Sequence, residues 1–582
     1  MTTQSGVGKL GGALTELRHA VGAARYPLTL PDAEESARLA AAIIGQLDDY
    51  LIPRLGSLDA PLLVVIGGST GAGKSTLTNS LIRTPVSPVG VRRPTTRTPV
   101  LVAHPDDAQW FTEANLLPGI GRTTRDAAAA GMLRVVATPA LTPGVALLDA
   151  PDIDSVVEAN RALAEQLLAA ADLWLFVTTA ARYADAVPWE LLQAARGRGA
   201  ALALVLDRVP DGAADEIRPH LEEMLRTRGF GDVRVFVIAE TTLDQRGLLP
   251  EDVVGELLGW LTSLARSTAA RAAIVRQTLD GAIAALGPSA DRLATASDQQ
   301  VAAAAALAAA ARDAYRAAEA SVEHGVKDGT LLRGEVLARW QELVGTGEFM
   351  RTVQNRVAWL RDRLVAAVTG RPAPGDQLKE ALESGLVTLV RGAAADAAEQ
   401  AARAWRAHPA GPALLTPALG APSPDLGQRV ERMVRDWQRA VLDLVRAEAG
   451  NKRFVARAGA YAVNALGLVV MIGVFAATSF IPTGAEIVVA GGTTLAAQKV
   501  LEAIFGDQAI RELADRARQD LLTRVRGVLD DEAARYLSLL DSAGVDAGTA
   551  DRLRRAAAVV RSAHAAAPLP AGPDGRPAGG MP

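Results

Sequence analysis

The residues with the clearest chemical capacity lie between positions 67 and 76, in the sequence GGSTGAGKST. Their spacing, G-x-x-x-x-G-K-S from position 68, is that of a phosphate-binding P-loop. Glycines let backbone N–H groups approach phosphate oxygens, and the following helix adds the positive end of its dipole. Lys74 is predicted to contact the β- and γ-phosphates, and Ser75 to bind Mg²⁺. The predicted nucleotide-binding residues of this loop are Gly68, Ser69, Thr70, Gly71, Ala72, Gly73, Lys74, Ser75 and Thr76.

An acidic residue downstream of the loop is expected to complete a magnesium site. Asp149 ends an apolar stretch in LLDAPD, as the first residue of the D-x-x-G element of GTPases does. It is predicted to hold a magnesium-bound water. The glycine of that element donates its backbone N–H to the γ-phosphate, and this chain has Asp152 there. The Asp152 amide can still donate, but its carboxylate would repel the phosphate if it faced inward.

A threonine between the P-loop helix and the next strand is expected to be the second protein ligand of magnesium. The sequence RRPTTRTP occupies positions 92–99. A mobile loop at this place in GTPases is ordered by the γ-phosphate and released after hydrolysis. Thr96 is favoured as the ligand, with Thr95 and Thr98 as alternatives. The predicted catalytic residues are Lys74 and Thr96, and the predicted metal ligands are Ser75, Thr96 and, through water, Asp149.

The residues expected to read the base depart from the usual pattern. GTPases use Asn/Thr-Lys-x-Asp after a strand, and this chain has DRVP at 207–210. Asp207 and Arg208 are predicted to contact the nucleotide. The aspartate that would grip the guanine edge aligns with Pro210, and Asp207 and Asp211 are the candidates to replace it. Because a hydrogen-bonding site rejects analogues that lack its partner, this change predicts weaker discrimination of GTP against ATP.

These residues must be positioned by an α/β domain, which the sequence predicts over 58–265. Apolar runs alternate there with helical patterns, which is typical of a mostly parallel sheet with helices on both faces. Ligands bind beyond the carboxyl ends of such strands, where the P-loop lies. The predicted strands are Leu62–Ile66, Pro99–Ala103, Leu133–Ala137, Val145–Leu148, Leu173–Thr178, Ala201–Leu206 and Val233–Ile238.

The flanking segments are predicted to be helical. Residues 1–57 carry apolar stripes at helical spacing, the second of which ends near Pro53, and are expected to pack with later helices. Residues 266–450 are predicted to form an elongated helical stalk, with breaks that include Gly287-Pro288 and a proline-rich loop. Residues 507–564 are predicted to form a returning stalk helix. Residues 565–582, rich in Pro, Gly and Ala, are expected to be a disordered tail.

A long uncharged segment at 458–481 is the second prominent feature of the sequence. As a helix it would be roughly 36 Å long, enough to cross a hydrocarbon core. Basic residues precede it, and a second apolar limb follows a turn at 482–484. Residues 451–506 are therefore predicted to form a membrane hairpin. A paddle in one leaflet is one alternative, because Lys499 interrupts the second limb. A hydrophobic hairpin buried in a protein core is the other.

Composition limits the remaining possibilities. The chain has 582 residues and a net charge of −4, with 61 basic and 65 acidic residues, so no nucleic-acid partner is expected. The absence of cysteine fits a reducing cytosol. No apolar segment typical of a secretory signal occurs in residues 1–30. The length predicts at least two domains.

Taken together, these features resemble those of the dynamin-like GTPases. The P-loop at 68–75, the RRPTT loop at 92–96 and Asp149-Ala150-Pro151 stand in the order of that family. The helix before the GTPase domain, the stalk after it and the apolar hairpin are also similar. The resemblance extends over nearly the whole chain. It is closest to the membrane-associated dynamin-like pair that acts at sporulation septa in filamentous actinobacteria.

The resemblance implies a GTPase head in the cytoplasm, at the cytoplasmic face of the cell membrane, with Mg²⁺ as cofactor and GTP as substrate. It further implies membrane lipid as a partner, homo- or hetero-oligomers with a related protein, cell-division proteins as further partners, and membrane remodelling or stabilisation of the division septum. Dynamins carry a Gln-Ser pair where this chain has Thr70 and Gly71, so slow basal hydrolysis is expected. A nucleotide-gated membrane scaffold and a membrane-anchored P-loop ATPase are the alternative functions.

Overall fold

The computed structural model describes residues 2–89, 98–113, 117–125, 132–152, 158–185, 199–231, 233–327, 374–449 and 507–566, with positions 189, 192, 193, 195 and 196. The chain forms two compact units. Unit one consists of Met1–Tyr26, Asp32–Gln299 and Asp546–Pro582. Unit two consists of Pro27–Pro31 and Gln300–Val545.

Unit one contains a sheet of eight strands in the order β3-β4-β2-β5-β1-β6-β7-β8. All neighbouring strands are parallel except β2 and β5, which are antiparallel. The predicted class, an α/β domain with a mostly parallel sheet, is therefore confirmed. The strands are β1 (Leu62–Gly68), β2 (Val100–Ala103), β3 (Arg122–Thr123), β4 (Leu133–Ala137), β5 (Val145–Asp149), β6 (Leu173–Thr179), β7 (Ala201–Val209) and β8 (Arg234–Ala239).

All the predicted strands are present within a few residues of their expected ends. Only β3 was not predicted, because a strand of two residues has no detectable periodicity. Every residue of β1, β5 and β6 is buried. Continuous Leu, Val and Ile runs are typical of parallel strands that helices cover on both faces, so their burial supplies the main stabilising term of this unit.

Helices of unit one surround this sheet. α1 packs against α13, which comes from the far end of the chain, and its buried stripe includes Leu10, Leu14 and Leu17. The helices are α1 (Thr2–Ala23), α2 (Ala33–Gln46), α3 (Ile52–Gly56), α4 (Lys74–Leu81), α5 (Ala108–Thr112), α6 (Glu158–Ala169), α7 (Ala214–Thr227), α8 (Glu251–Arg266), α9 (Thr268–Lys327, which continues into unit two) and α13 (Thr549–Ala566).

The helix predicted to end near Pro53 ends three residues later, at Gly56, whereas the break predicted at Gly287-Pro288 is absent. A π-helical turn, Leu47–Leu51, joins α2 to α3, and helical geometry continues past Pro53 to Gly56. The wider turn accommodates a proline ring that would clash in a regular α-helix. α9 likewise runs without a break through Gly287-Pro288. Buried Leu286 and Ala290 keep the apolar stripe continuous on both sides, so packing outweighs the lost hydrogen bond.

Unit two is helical in its described part. It contains the later part of α9, α10 (Pro374–Ala407), a 3₁₀ turn (Pro417–Gly420), α11 (Leu426–Ala449) and α12 (Asp507–Ala543). α11 packs against α10 and α12. Two buried indoles link helices of this unit: Trp405 Nε1 of α10 donates to Leu307 O of α9 at 2.9 Å, and Trp437 Nε1 of α11 donates to Ala517 O of α12 at 2.8 Å.

The returning helix predicted over 507–564 is two helices. α12 ends at Ala543, and α13 begins at Thr549. Gly544 follows the last helical residue of α12, which is the usual place for a glycine that terminates a helix. The break also separates the units, since α12 lies in unit two and α13 in unit one.

The predicted membrane hairpin at 451–506 lies outside the described residues, as do Thr95 and Thr96. The tail predicted from 565 is described only as far as 566, where it is the end of α13. Among the helices that the structure does describe, none combines the length and apolar character needed to cross a membrane. The domain boundaries predicted from the sequence stay predictions.

A buried carboxylate at the start of β6 joins the sheet to its surrounding helices. Asp172 lies 3.0 Å from Arg54 Nε, and both side chains are about 1% exposed. It also accepts hydrogen bonds from Tyr50 Oη at 3.0 Å and from Leu63 N at 2.8 Å. Its backbone carbonyl accepts from Thr278 Oγ1 of α9 at 2.8 Å. Burial raises the pKa of Asp172, and the positive charge of Arg54 opposes that shift.

We expect Asp172→Asn to lower the free energy of unfolding of unit one by about 3 to 5 kcal/mol, because Arg54 would be left charged and buried. The matched control is Glu35→Gln, since Glu35 pairs with Arg292 at 2.6 Å and both side chains are at least 60% exposed. That change should cost less than about 1 kcal/mol. Urea denaturation measures both variants. Equal losses would contradict the role of the buried pair.

Candidate nucleotide-binding site

The P-loop connects β1 to α4 at the carboxyl end of the central strands. Gly68 has φ +148°, and a Cβ there would lie 2.1 Å from Val177 O of β6. Gly73 has φ +94°, and a Cβ there would lie 2.4 Å from Asp207 Oδ2. Both positions therefore require glycine: Gly68 packs against β6, and Gly73 lies against the side chain of Asp207.

Lys74 points into this loop and is buried. Its Nζ donates to Gly68 O at 2.8 Å and to Ser69 O at 3.0 Å. It also lies 2.5 Å from Asp152 Oδ1, so the Asp152 carboxylate faces the P-loop. An inward-facing carboxylate at this position is expected to repel phosphate. Here the carboxylate is paired with the lysine that should bind phosphate.

Ser75 and Asp149 lie side by side, as the magnesium prediction requires. Ser75 Oγ donates to Asp149 Oδ2 at 2.6 Å, and the Ser87 hydroxyl donates to the same oxygen. Asn79 fixes Ser87, donating from Nδ2 to Ser87 O at 2.8 Å and accepting from Ser87 N at 2.8 Å. Ser87 was not predicted, because an isolated serine in a loop has no motif to mark it.

The donor set around Asp149 fits Mg²⁺. The Asp149 side chain is fully buried, and its Oδ1 has no hydrogen-bond partner among the residues that the structure describes. Burial raises the pKa of this carboxyl, while the Ser75 and Ser87 hydroxyls and Lys74 oppose the shift. A buried oxygen without a partner, next to a P-loop hydroxyl, suits a water held by Mg²⁺. Ser75 would bind the ion directly, and the ion would neutralise charge on the β- and γ-phosphates.

The base side of the site is formed by the end of β7. Asp207 is largely buried, and its Oδ1 accepts from Arg208 N at 2.9 Å. Arg208 has φ +54°, and its Nη2 donates to Gly71 O at 3.0 Å. Burial raises the pKa of Asp207. Both residues therefore lie against the P-loop, whereas Asp211, the other candidate for reading the base, is exposed in the turn after β7.

The other predicted residues are placed as follows. Ala72 is buried, Thr70 is half-buried and Gly71 is exposed within the loop, and Thr76 lies half-buried in α4. Thr98, an alternative magnesium ligand, precedes β2, but the favoured Thr96 lies outside the described residues. The structure adds Arg182, whose Nη1 donates to Thr70 O at 3.2 Å. A single arginine after β6 gave no signal in the sequence.

Residues 63–208 match a family model described as 50S ribosome-binding GTPase. The matched span begins in β1, ends at Arg208 and contains the P-loop, Asp149 and Asp207. The predicted enzyme class, a GTPase that hydrolyses GTP, is confirmed by this match for the domain that contains residues 63–208. No curated protein is significantly similar to the chain.

Solved structures similar to the chain include Era and two bacterial dynamins. Era in complex with MgGDPNP and a segment of 16S ribosomal RNA is 20% identical, over 34% of this chain and 57% of Era, with a TM-score of 0.24. The chain therefore spans little more than half the length of Era. A protein of an oligomerised bacterial dynamin pair, described as sensing and tethering membranes, is 11% identical over 93% of this chain and 96% of its own, with a TM-score of 0.38. The LeoA bacterial dynamin GTPase from ETEC is 10% identical over 97% and 99%, with a TM-score of 0.23.

We expect Asp149→Asn to stabilise the nucleotide-free protein at pH 7 by about 1 kcal/mol, while weakening magnesium-dependent GTP binding. Folding raises the pKa of Asp149, so it disfavours the charged form, and a neutral amide removes that cost. Wild-type stability should approach that of the variant as the pH falls and Asp149 gains a proton. Thermal unfolding between pH 4 and 7 measures this trend, with exposed Asp215→Asn as control. Destabilisation by Asp149→Asn at pH 7 would contradict the argument.

Proposed function

We propose that the protein is a dynamin-like GTPase that binds GTP with Mg²⁺, hydrolyses it slowly and couples it to membrane association. The observation that carries the nucleotide part is the P-loop itself. Lys74 and Ser75 lie at its helix start, with Asp149 against Ser75 and Asp207 against Gly73. These groups meet at the carboxyl ends of parallel strands, where nucleotides bind in open α/β sheets.

Slow hydrolysis follows from what the loop lacks. Thr70 and Gly71 occupy the places where dynamins have a catalytic Gln-Ser pair, according to the resemblance in sequence. Added positive charge near the transferred phosphate is worth orders of magnitude in rate. The acceleration is therefore proposed to come from association of two GTPase heads, which would make the turnover per molecule depend on protein concentration.

We expect Lys74→Ala to abolish GTP binding, because Lys74 is the lysine whose charge would meet the β- and γ-phosphates. The matched control is Lys327→Ala, since Lys327 is an exposed lysine at the end of α9. Calorimetric titration with GTP and Mg²⁺ measures both variants. Unchanged affinity in Lys74→Ala would count decisively against the site.

The membrane part of the proposal is carried by the sequence of residues 451–506. The uncharged limb at 458–481, preceded by Lys452, Arg453 and Arg457, is long enough to span a bilayer and has basic residues at its entry. We propose that this segment holds the protein at the cytoplasmic face of the cell membrane. The finer proposals, by resemblance alone, are a role at division septa, homo- or hetero-oligomers and contact with cell-division proteins, as in the sporulation pair.

A cysteine introduced by Thr483→Cys tests the membrane segment, since the chain has no native cysteine. An impermeant thiol reagent added outside intact cells should label it if the hairpin crosses fully, whereas Ser562→Cys, at an exposed position of α13, should stay unlabelled. Absence of labelling in a protein that still pellets with membranes after a salt wash indicates a one-leaflet paddle. Release by salt alone would contradict both arrangements.

Two observations favour specific alternatives. Thr70 and Gly71 in place of the dynamin pair favour a nucleotide-gated scaffold with little hydrolysis. Pro210 in place of the base-reading aspartate favours a membrane-anchored ATPase. Parallel titrations with GTP and ATP distinguish the ATPase from the proposed GTPase by which nucleotide binds more tightly. Measurement of phosphate release distinguishes the scaffold, which would hydrolyse little nucleotide.

A further inference from the structure

The ammonium group of Lys74 is fully occupied within the protein. A lysine has three donor protons, and Lys74 Nζ has three acceptors: Gly68 O at 2.8 Å, Ser69 O at 3.0 Å and Asp152 Oδ1 at 2.5 Å. The Lys74 and Asp152 side chains are 4% and 13% exposed. Such burial protects the ion pair from solvent screening, which distinguishes it from a surface pair.

The Asp152 carboxylate therefore lies where a phosphate oxygen should meet Lys74. A phosphate that binds there must first break this ion pair. The displaced carboxylate then loses a charged hydrogen bond and stays close to the anionic ligand, which repels it. Both effects lower the affinity for phosphate, and neither would arise from the glycine that GTPases place at this position.

We propose that Asp152 sets the affinity of the site for nucleotide phosphates by occupying Lys74 in the nucleotide-free protein. The ligand class is a nucleoside di- or triphosphate, whose β-phosphate competes with the carboxylate for the same ammonium group. This inference rests on the proposed GTPase function. It adds that the protein itself supplies a competitor for Lys74, so that binding is an exchange of one anion for another.

The test is calorimetric titration of the full chain with GTP and with GDP, both with Mg²⁺. Asp152→Asn removes the charge with little change of shape, and Asp152→Ala serves the same comparison if the amide variant does not fold. Each should bind both nucleotides about tenfold more tightly than wild type, which corresponds to the loss of one charged hydrogen bond. Asp152→Glu retains the charge and should stay within about threefold of wild type. Asp215→Asn, which removes an exposed charge on α7, should change nothing.

The outcomes distinguish this inference from the proposed function. Tighter binding by Asp152→Asn, including binding that appears only in that variant, supports the inference. Equal or weaker binding by Asp152→Asn while wild type binds GTP overturns the inference and leaves the GTPase intact. Equal tightening by Asp215→Asn also overturns it, because the effect would then be one of net charge. Failure of every variant to bind either nucleotide overturns both.

Discussion

The carboxylate of Asp172 is the constraint on which the nucleotide domain depends. It accepts a hydrogen bond from Leu63 N at the start of β1 and contacts Arg54 and Tyr50 of the N-terminal helices. The backbone carbonyl of Asp172 accepts a hydrogen bond from Thr278 of α9. Thr278 Oγ1 in turn accepts from Ala201 N at the start of β7. These contacts hold the amino ends of β1, β6 and β7 together, and the carboxyl ends of the same strands lie at the opposite end of the sheet.

The functional groups lie at that opposite end. Ile66 of β1 pairs with Asp149 of β5, and Gly68 pairs with Val177 of β6, so strand register sets the positions of the Asp149 carboxylate and the P-loop. The polar groups of the site are also paired with one another. Asp152 neutralises Lys74, and Asp149 accepts from Ser75, so both groups expected to bind Mg²⁺-nucleotide have partners within the protein. Binding of Mg²⁺-nucleotide would therefore replace contacts of Lys74 and Ser75 within the protein with contacts to the ligand.

Features that depend on a short stretch of sequence could be predicted without the structure. The P-loop spacing, the buried strands and Asp149 are predictable because each is a short pattern with one physical reading. Ser87 and Arg182 were missed because they reach the site only through tertiary packing, from a loop and from the end of β6. Pro288 was misread as a helix break because propensity yields to a buried apolar stripe. Asp152 stands out in the sequence as a departure from the usual glycine, but its ion pair with Lys74 is a tertiary contact that the sequence does not reveal.

The most direct test of the central claim is phosphate release from GTP over a wide range of protein concentrations, with ATP in parallel. We expect slow GTP hydrolysis by dilute protein, and a turnover per molecule that rises with protein concentration as GTPase heads associate. We also expect only a modest preference for GTP over ATP, because Pro210 stands in place of the base-reading carboxylate. Absence of phosphate release at every concentration, from protein that binds GTP, would contradict the account.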